Sequence, residues 1–297
     1  MGKKTTKMMV TVLFDIAKIV VIGFVALIIE SIITFFVGMV FLENNKNYMG
    51  WLQVINCFTC FLGIVIVIFY VKKIQKRSLD SLLIRNFSLH NVFCGGSIAL
   101  LMFIVMSIVN YISGMKFEFA YVDKTFLVAS AIGWLIESID ESVFFIAFPI
   151  TTLAKKAPIW ISIVNAIFFY TLFVSIPFIG ICSWKNLLVY IVNRITLITI
   201  VICLEIAQKS IFGGAAFLFV WNYFTYHIVG YVQSGNIFPS LIVPVFPNQY
   251  VIWIGDKIHP MTGLNLLITE IISFILVVLY IWNKKMLERY KDELFKN

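Results

Sequence analysis

Three carboxylates, Glu137, Asp140 and Glu141, stand inside a stretch, 129–150, that is otherwise apolar enough to cross a membrane. Their offsets of i, i+3 and i+4 put all three on one face of an α-helix, so that face cannot meet lipid. A charge at bilayer depth costs about 3 kcal/mol even on the mildest scales unless it finds a cavity or a partner, which makes the cluster a candidate functional site. Two chemistries suit such a row. A buried carboxylate can act as a general base on a water molecule, or a chain of acids can relay protons.

The chain that must position these groups is a membrane chain. Hydrophobic residues make up 61% of its 297 residues, charged ones 13%, and the mean hydropathy is +0.97, leaving too little polar surface to cover a soluble globule. The apolar runs are about 20 residues long without strict alternation, which selects helices over a barrel. The expected fold class is therefore all-α, a polytopic bundle of about eight transmembrane helices near 17–41, 51–71, 92–112, 126–149, 159–181, 187–206, 210–232 and 264–282. Short connections and the absence of an internal repeat make residues 1–297 a single membrane domain. The first run is too long, and lacks the small-residue cleavage site, for a removed signal peptide, so it is expected to stay as an anchor.

The net charge of +8 is distributed as topology, not as a nucleic-acid surface. With the N-terminus in the cytoplasm, 16 Lys and Arg fall on inner segments against 5 on outer ones, with Lys18 and Arg194 left within or at the edge of spans. Both termini are then cytoplasmic, including the tail 283–297. The inner loop 72–91 is expected to form an amphipathic surface helix around Leu82, Leu83 and Ile84 on an anionic leaflet. The Pro- and Gly-rich segment 233–263 reads as a partly buried or re-entrant outer loop. The five cysteines read as small buried hydrophobes, without disulfide or metal spacing, and neither a metal nor any other cofactor is implied.

Depth brings three distant positions to one level. Glu141 lies 14 residues before Lys155, Phe173 lies 17 after Lys156, and Asn222 lies 13 after Lys209. At about 1.5 Å per residue each is roughly 20–25 Å from the inner edge, near mid-membrane. Around these positions the chain reads Asp140-Glu141-Ser-Val-Phe-Phe145, then Phe169-Tyr-Thr-Leu-Phe173, then Leu218-Phe-Val-Trp-Asn222 followed by Gly230-Tyr-Val-Gln-Ser-Gly235. Over residues 126–263 this resembles the CAAX prenyl protease and bacteriocin-processing (CPBP) family of intramembrane endopeptidases, which includes the abortive-infection-type proteins. The family pattern is Glu-Glu-x-x-x-Arg, Phe-x-x-x-His and His-x-x-x-Asn, with Gly-x-x-x-Ser-Gly shortly after. The first three spans match only in number and hydrophobicity.

The resemblance implies a glutamate that activates water, two histidines and an asparagine that orient it or stabilise the oxyanion, and an arginine that holds the carboxylates. Here Glu141 keeps the second Glu, Asp140 replaces the first, and Asn222 keeps the Asn, while Phe145 replaces the Arg and Phe173 and Leu218 replace the two His. Losing one oxyanion donor alone costs about 2.7–4 kcal/mol of barrier, so ordinary proteolysis is not expected. Losing the Arg leaves the acids to be protonated or repartnered, with Arg194 and Glu205 as the available polar groups. Glu141, Asp140 and Asn222 are thus retained motif positions, and Phe145, Phe169, Phe173, Leu218 and Glu137 are expected to line the remaining cavity.

The resemblance and its three apolar replacements together imply a pseudoenzyme of the CPBP fold in the cell membrane of a prokaryote, binding membrane lipids and another membrane or cell-envelope protein, or a hydrophobic or lipidated peptide, but no nucleic acid. Two rivals remain. One is an active protease using Asp140, Glu141, Asn222 and an unrecognised donor. The other is a proton-coupled transporter or immunity-type membrane protein using Glu30, Glu141, Glu205 and Glu270, though these acids are more simply partnered between helices. A relocated site on His227 is disfavoured, since it sits about 140° around the helix from Asn222. His90 and His259 read as loop residues, and Gly213–Ala216 as a small-residue face for helix packing.

Overall fold

A computed structural model describes residues 2–42, 48–85, 87–180, 183–233, 236–247, 253–254 and 260–283. Cys182, Ser234, Gly235, His259 and the tail beyond Asn283 lie outside the described residues, as do Lys46 and Lys257.

Each of the eight apolar windows contains helix. They become α1 (Gly2–Leu42), α2 and α3 (Tyr48–Thr59 and Phe61–Phe69), α4 (Leu89–Ile112), α5 and α6 (Lys124–Asp140 and Phe148–Leu153), α7 (Ile159–Ser175), α8 (Trp184–Gln208), α9 (Phe212–Tyr223) and α10 (Leu264–Asn283). Four continuous helical stretches, Val10–Val40, Tyr48–Ile74, Leu89–Ile112 and Trp184–Gln208, are long and apolar enough to cross a membrane, so the chain is a mostly helical membrane protein. Large hydrophobics such as Phe14, Phe24, Ile32 and Phe36 along α1 point outward, as lipid-facing side chains do, while the core gathers the carboxylate row and the aromatic cluster beside it.

Two features depart from the sequence reading. Strand β1 (Lys116–Phe119) pairs antiparallel with β2 (Ile242–Val245) in the register Lys116 to Val245. Pro244, opposite Phe117, is tolerated because a two-stranded ribbon has only edge strands. The Pro- and Gly-rich segment is therefore tied by main-chain hydrogen bonds to the α4–α5 connection, with paired residues 123 to 129 positions apart, from Phe119–Ile242 to Lys116–Val245. Among the described residues between Ile74 and Leu89 the inner loop holds a 3-10 turn, Leu79–Leu82, and not an amphipathic surface helix. Leu82 and Leu83 are fully buried in the main core, and the Leu83 carbonyl accepts from Ile211 N–H at 3.2 Å. The left-handed backbone at Leu83 (φ 60°) ends that turn and folds the pair inward instead of onto a leaflet.

The connections sort to two ends of the bundle. Lys156 pairs with Asp15 at 2.5 Å, Arg77 donates to Thr152 at 3.4 Å, and Leu83 meets Ile211, which gathers the lysine-rich segments at one end. The β1–β2 ribbon marks the other. Between them α4 crosses α9 at glycines, so closely that a Cβ on Gly95 would overlap the Gly213 carbonyl oxygen.

Candidate functional site

The site is built where one helix changes its winding. α5 runs through Glu137 to Asp140, passes into a π-helical stretch over Glu141–Ala147, and resumes as α6 with Pro149 in its first turn. Proline has no N–H and its ring clashes with the carbonyl four residues back, here Phe145, so the preceding turn widens instead of continuing as α-helix. Glu137, Asp140 and Glu141 sit at the entrance to that widened turn, and Phe144 and Phe145 within it. π-helical turns recur at functional sites for this reason: they re-aim side chains that a regular helix would leave in line.

Glu137 and Glu141 lie between two cavities. The first, of about 160 Å³, is walled by α1, α2, α5, the π turn and α7, and its lining includes Glu30, Asn56, Cys60, Asp140, Phe145 and Phe173 together with the two glutamates. The second, of about 200 Å³, is lined by the same two glutamates with Tyr190, Arg194, Asn222 and Tyr226. Glu141, Phe173 and Asn222, placed at one depth by residue counting, are thus gathered around this pair of cavities. Phe169 and Leu218 line neither. Phe169 packs on Phe173 and Phe145 at centroid distances of 4.7 and 5.4 Å, and Leu218 is fully buried in the core. Gly23 of α1 closes over the aromatic cluster, with room for no Cβ against Phe169 and Phe173.

Arg194 of α8 supplies the guanidinium of the second cavity. Its Nε donates to Tyr190 at 2.9 Å and its Nη1 to Tyr170 at 3.3 Å, with the guanidinium 5.2 Å from the Tyr190 ring centre. Tyr170 and Arg194 both act electrostatically on Glu141, so arginine, tyrosine and glutamate form an electrostatic relay. Glu137 is held from the other side, accepting from the Cys57 thiol at 2.7 Å. Cys57 is therefore not a bland hydrophobe. The stripe Asn56, Cys57, Cys60 along Tyr48–Ile74 carried that signal, since three polar-capable side chains in an apolar span need something to face. Tyr170, adjacent to the motif residue Phe169, carried no such signal, because a tyrosine in a span reads equally well as an interfacial aromatic.

The remaining acids separate. Glu30 joins the row across the bundle, hydrogen-bonding the Gly63 backbone. Glu270 of α10 is fully buried within electrostatic reach of Arg194. Glu205 lies elsewhere, against Gly214, where a Cβ would come 2.5 Å from Oε1. It does not join the relay, because 11 residues along α8 carry it about 16 Å from Arg194. His227 packs among Trp134, Phe126, Tyr223 and Phe238, with Nδ1 3.2 Å from the Pro239 carbonyl, and lines neither cavity.

Chemically, the second cavity offers carboxylates, one asparagine, one guanidinium and two tyrosine hydroxyls. That set can hold a water or a polar ligand, but among the described residues no histidine stands where proton transfer or oxyanion stabilisation would call for one. Nor, among the described residues, is any group of three or more His, Cys, Asp and Glu side chains arranged to hold a metal ion. Comparison of the chain with protein-family models, curated proteins and solved structures finds no match.

Proposed function

We propose that this chain is a catalytically impaired homologue of the CPBP intramembrane endopeptidases: an eight-span protein of a prokaryotic cell membrane, both termini cytoplasmic, that acts as a binding or scaffold subunit. One observation carries the reading. Glu141 and Asn222 share a cavity while the positions of the family's arginine and histidines hold Phe145, Phe173 and Leu218, apolar members of the core that can neither donate a hydrogen bond nor carry a charge. The sorting of lysine-rich segments to one end of the bundle supports the topology, and the Arg194–Tyr170–Glu141 relay supports a repartnered acid row. Its partner is another membrane or cell-envelope protein, or a hydrophobic or lipidated peptide.

The test is proteolysis by the purified protein on prenylated and hydrophobic peptides, beside Glu141→Ala. Neither protein should cleave, and the wild type should retain a stoichiometric membrane partner through gentle-detergent purification. Cleavage lost in Glu141→Ala would replace this reading with an active protease. A second reading, proton relay, is favoured by Glu137 and Glu141 each lining both cavities. Flux driven by a pH gradient in reconstituted vesicles, abolished by Glu141→Gln, would establish it in place of binding.

A further inference from the structure

The first cavity has a charge problem that the relay does not solve. Arg194 acts from the far side, on Glu141 and Glu137, whereas the ionisable groups acting on Asp140 are Glu30, Glu137 and Glu141, all acids. Asp140 is 4% exposed, lines the cavity, and its Oδ1 has no hydrogen-bond partner. Glu30 approaches from α1. A Cβ on Gly63 would meet Asp140 Oδ1 at 2.5 Å and Glu30 Oε1 at 2.8 Å, so the two carboxyl groups converge on a position that only glycine leaves open. Facing groups from the other walls are the Cys60 thiol and the Asn56 amide, while α7 offers only Phe173 and Val174. Among the described residues no lysine or arginine lines this cavity.

We infer that this cavity is a binding site for a small organic monocation, an ammonium or guanidinium group, seated between Asp140 and Glu30 and against the faces of Phe144, Phe145 and Phe173. Its volume of about 160 Å³ matches the roughly 150 Å³ engineered cavity known to hold benzene, enough for one such headgroup and too little for a lipid headgroup with its glycerol. The lining also selects the kind of cation. A hard metal ion asks for six or more oxygens at fixed distances, whereas carboxylates beside aromatic faces suit a weakly hydrated organic cation. The same chemistry is carried by a free amine and by a lysine or arginine side chain of a bound peptide. The site depends on the cavity geometry and not on family membership, so a chain that proved proteolytic would still carry it.

The experiment is calorimetric titration of the purified full-length protein in detergent with n-butylammonium and methylguanidinium, against neutral n-butanol, and then with a hydrophobic helical peptide bearing one lysine, against its glutamine counterpart. Expected is saturable binding of at least one cationic probe at least tenfold tighter than its neutral counterpart. Free-cation binding assigns a small-molecule site, and binding of the lysine peptide alone assigns a side-chain site. Asp140→Asn should weaken that binding at least tenfold without lowering the unfolding temperature, because the amide keeps the shape of the carboxyl group at a position whose Oδ1 has no hydrogen bond to lose. Glu30→Gln is the second variant. If the cationic probes bind no better than the neutral ones, or bind equally to Asp140→Asn and Glu30→Gln, the site does not exist.

Discussion

At the scale of the residue, Glu141 has Phe145 on one side and Arg194 on the other. A phenylalanine in the widened turn gives Glu141 no charge, and an arginine two spans further along the chain, bonded to the Tyr170 hydroxyl, acts on it electrostatically. Buried charges that lose a partner cost about 3–5 kcal/mol, because the other charge remains desolvated. Arg194→Met should therefore destabilise the protein by about that amount, read by unfolding in micelles. Adding Glu141→Gln should restore at least half of the loss, and Tyr170→Phe alone should reproduce part of it. Purely additive effects, with a coupling below about 0.5 kcal/mol, would mean that arginine and glutamate do not form a unit.

At the scale of the element, close approach is set by glycine. Gly95 of α4 faces the Gly213 backbone of α9, whereas a Cβ on its neighbour Gly96 would meet only Val220 Cγ2 at 3.4 Å. Gly95→Ala should cost about 1–3 kcal/mol or more as an overpacked crossing, with Gly96→Ala within about 0.5 kcal/mol of wild type, both compared by thermal unfolding in one detergent. Equal costs would mean that α4 and α9 do not cross at Gly95. The helices were legible because each is a run of apolar residues long enough to be seen without any partner. The β1–β2 ribbon was not, since four-residue strands, one carrying Pro244, take their identity from pairing across 123 to 129 residues. Leu82 and Leu83 misled for a related reason: a short apolar run beside lysines looks amphipathic, and only the left-handed Leu83 turns it into the core. In the site, the acids announced themselves as charges in an apolar span. Their partners Tyr170 and Cys57 did not, because neither side chain costs enough in lipid to demand an explanation.

At the scale of the whole molecule, most of the basic residues among those described gather at one end. Lys72, Lys73 and Lys76 are exposed there beside Arg77 and Lys155. Burial pushes Arg77 down to about 10, and burial together with the Arg77 charge lowers Lys155. The Arg77 value lies below the ordinary one but well above neutrality, so at neutral pH Arg77 is protonated whether the chain is folded or unfolded. Its unfavourable placement costs stability there, and the cost is relieved only as pH rises through the lowered value. An anionic surface would offset it at neutral pH, at about 1 kcal/mol per exposed lysine near the headgroups. Phosphatidylglycerol added to zwitterionic micelles should therefore raise the unfolding temperature more than phosphatidylcholine does. The difference should shrink in the triple variant Lys72→Gln, Lys73→Gln, Lys76→Gln, and vanish at about 1 M salt, where the screening length falls to about 3 Å. A rise that is equal for the two lipids, or untouched by salt, would mean that this end of the bundle does not rest on an anionic leaflet, and the assignment of that end to the cytoplasm would lose its physical basis.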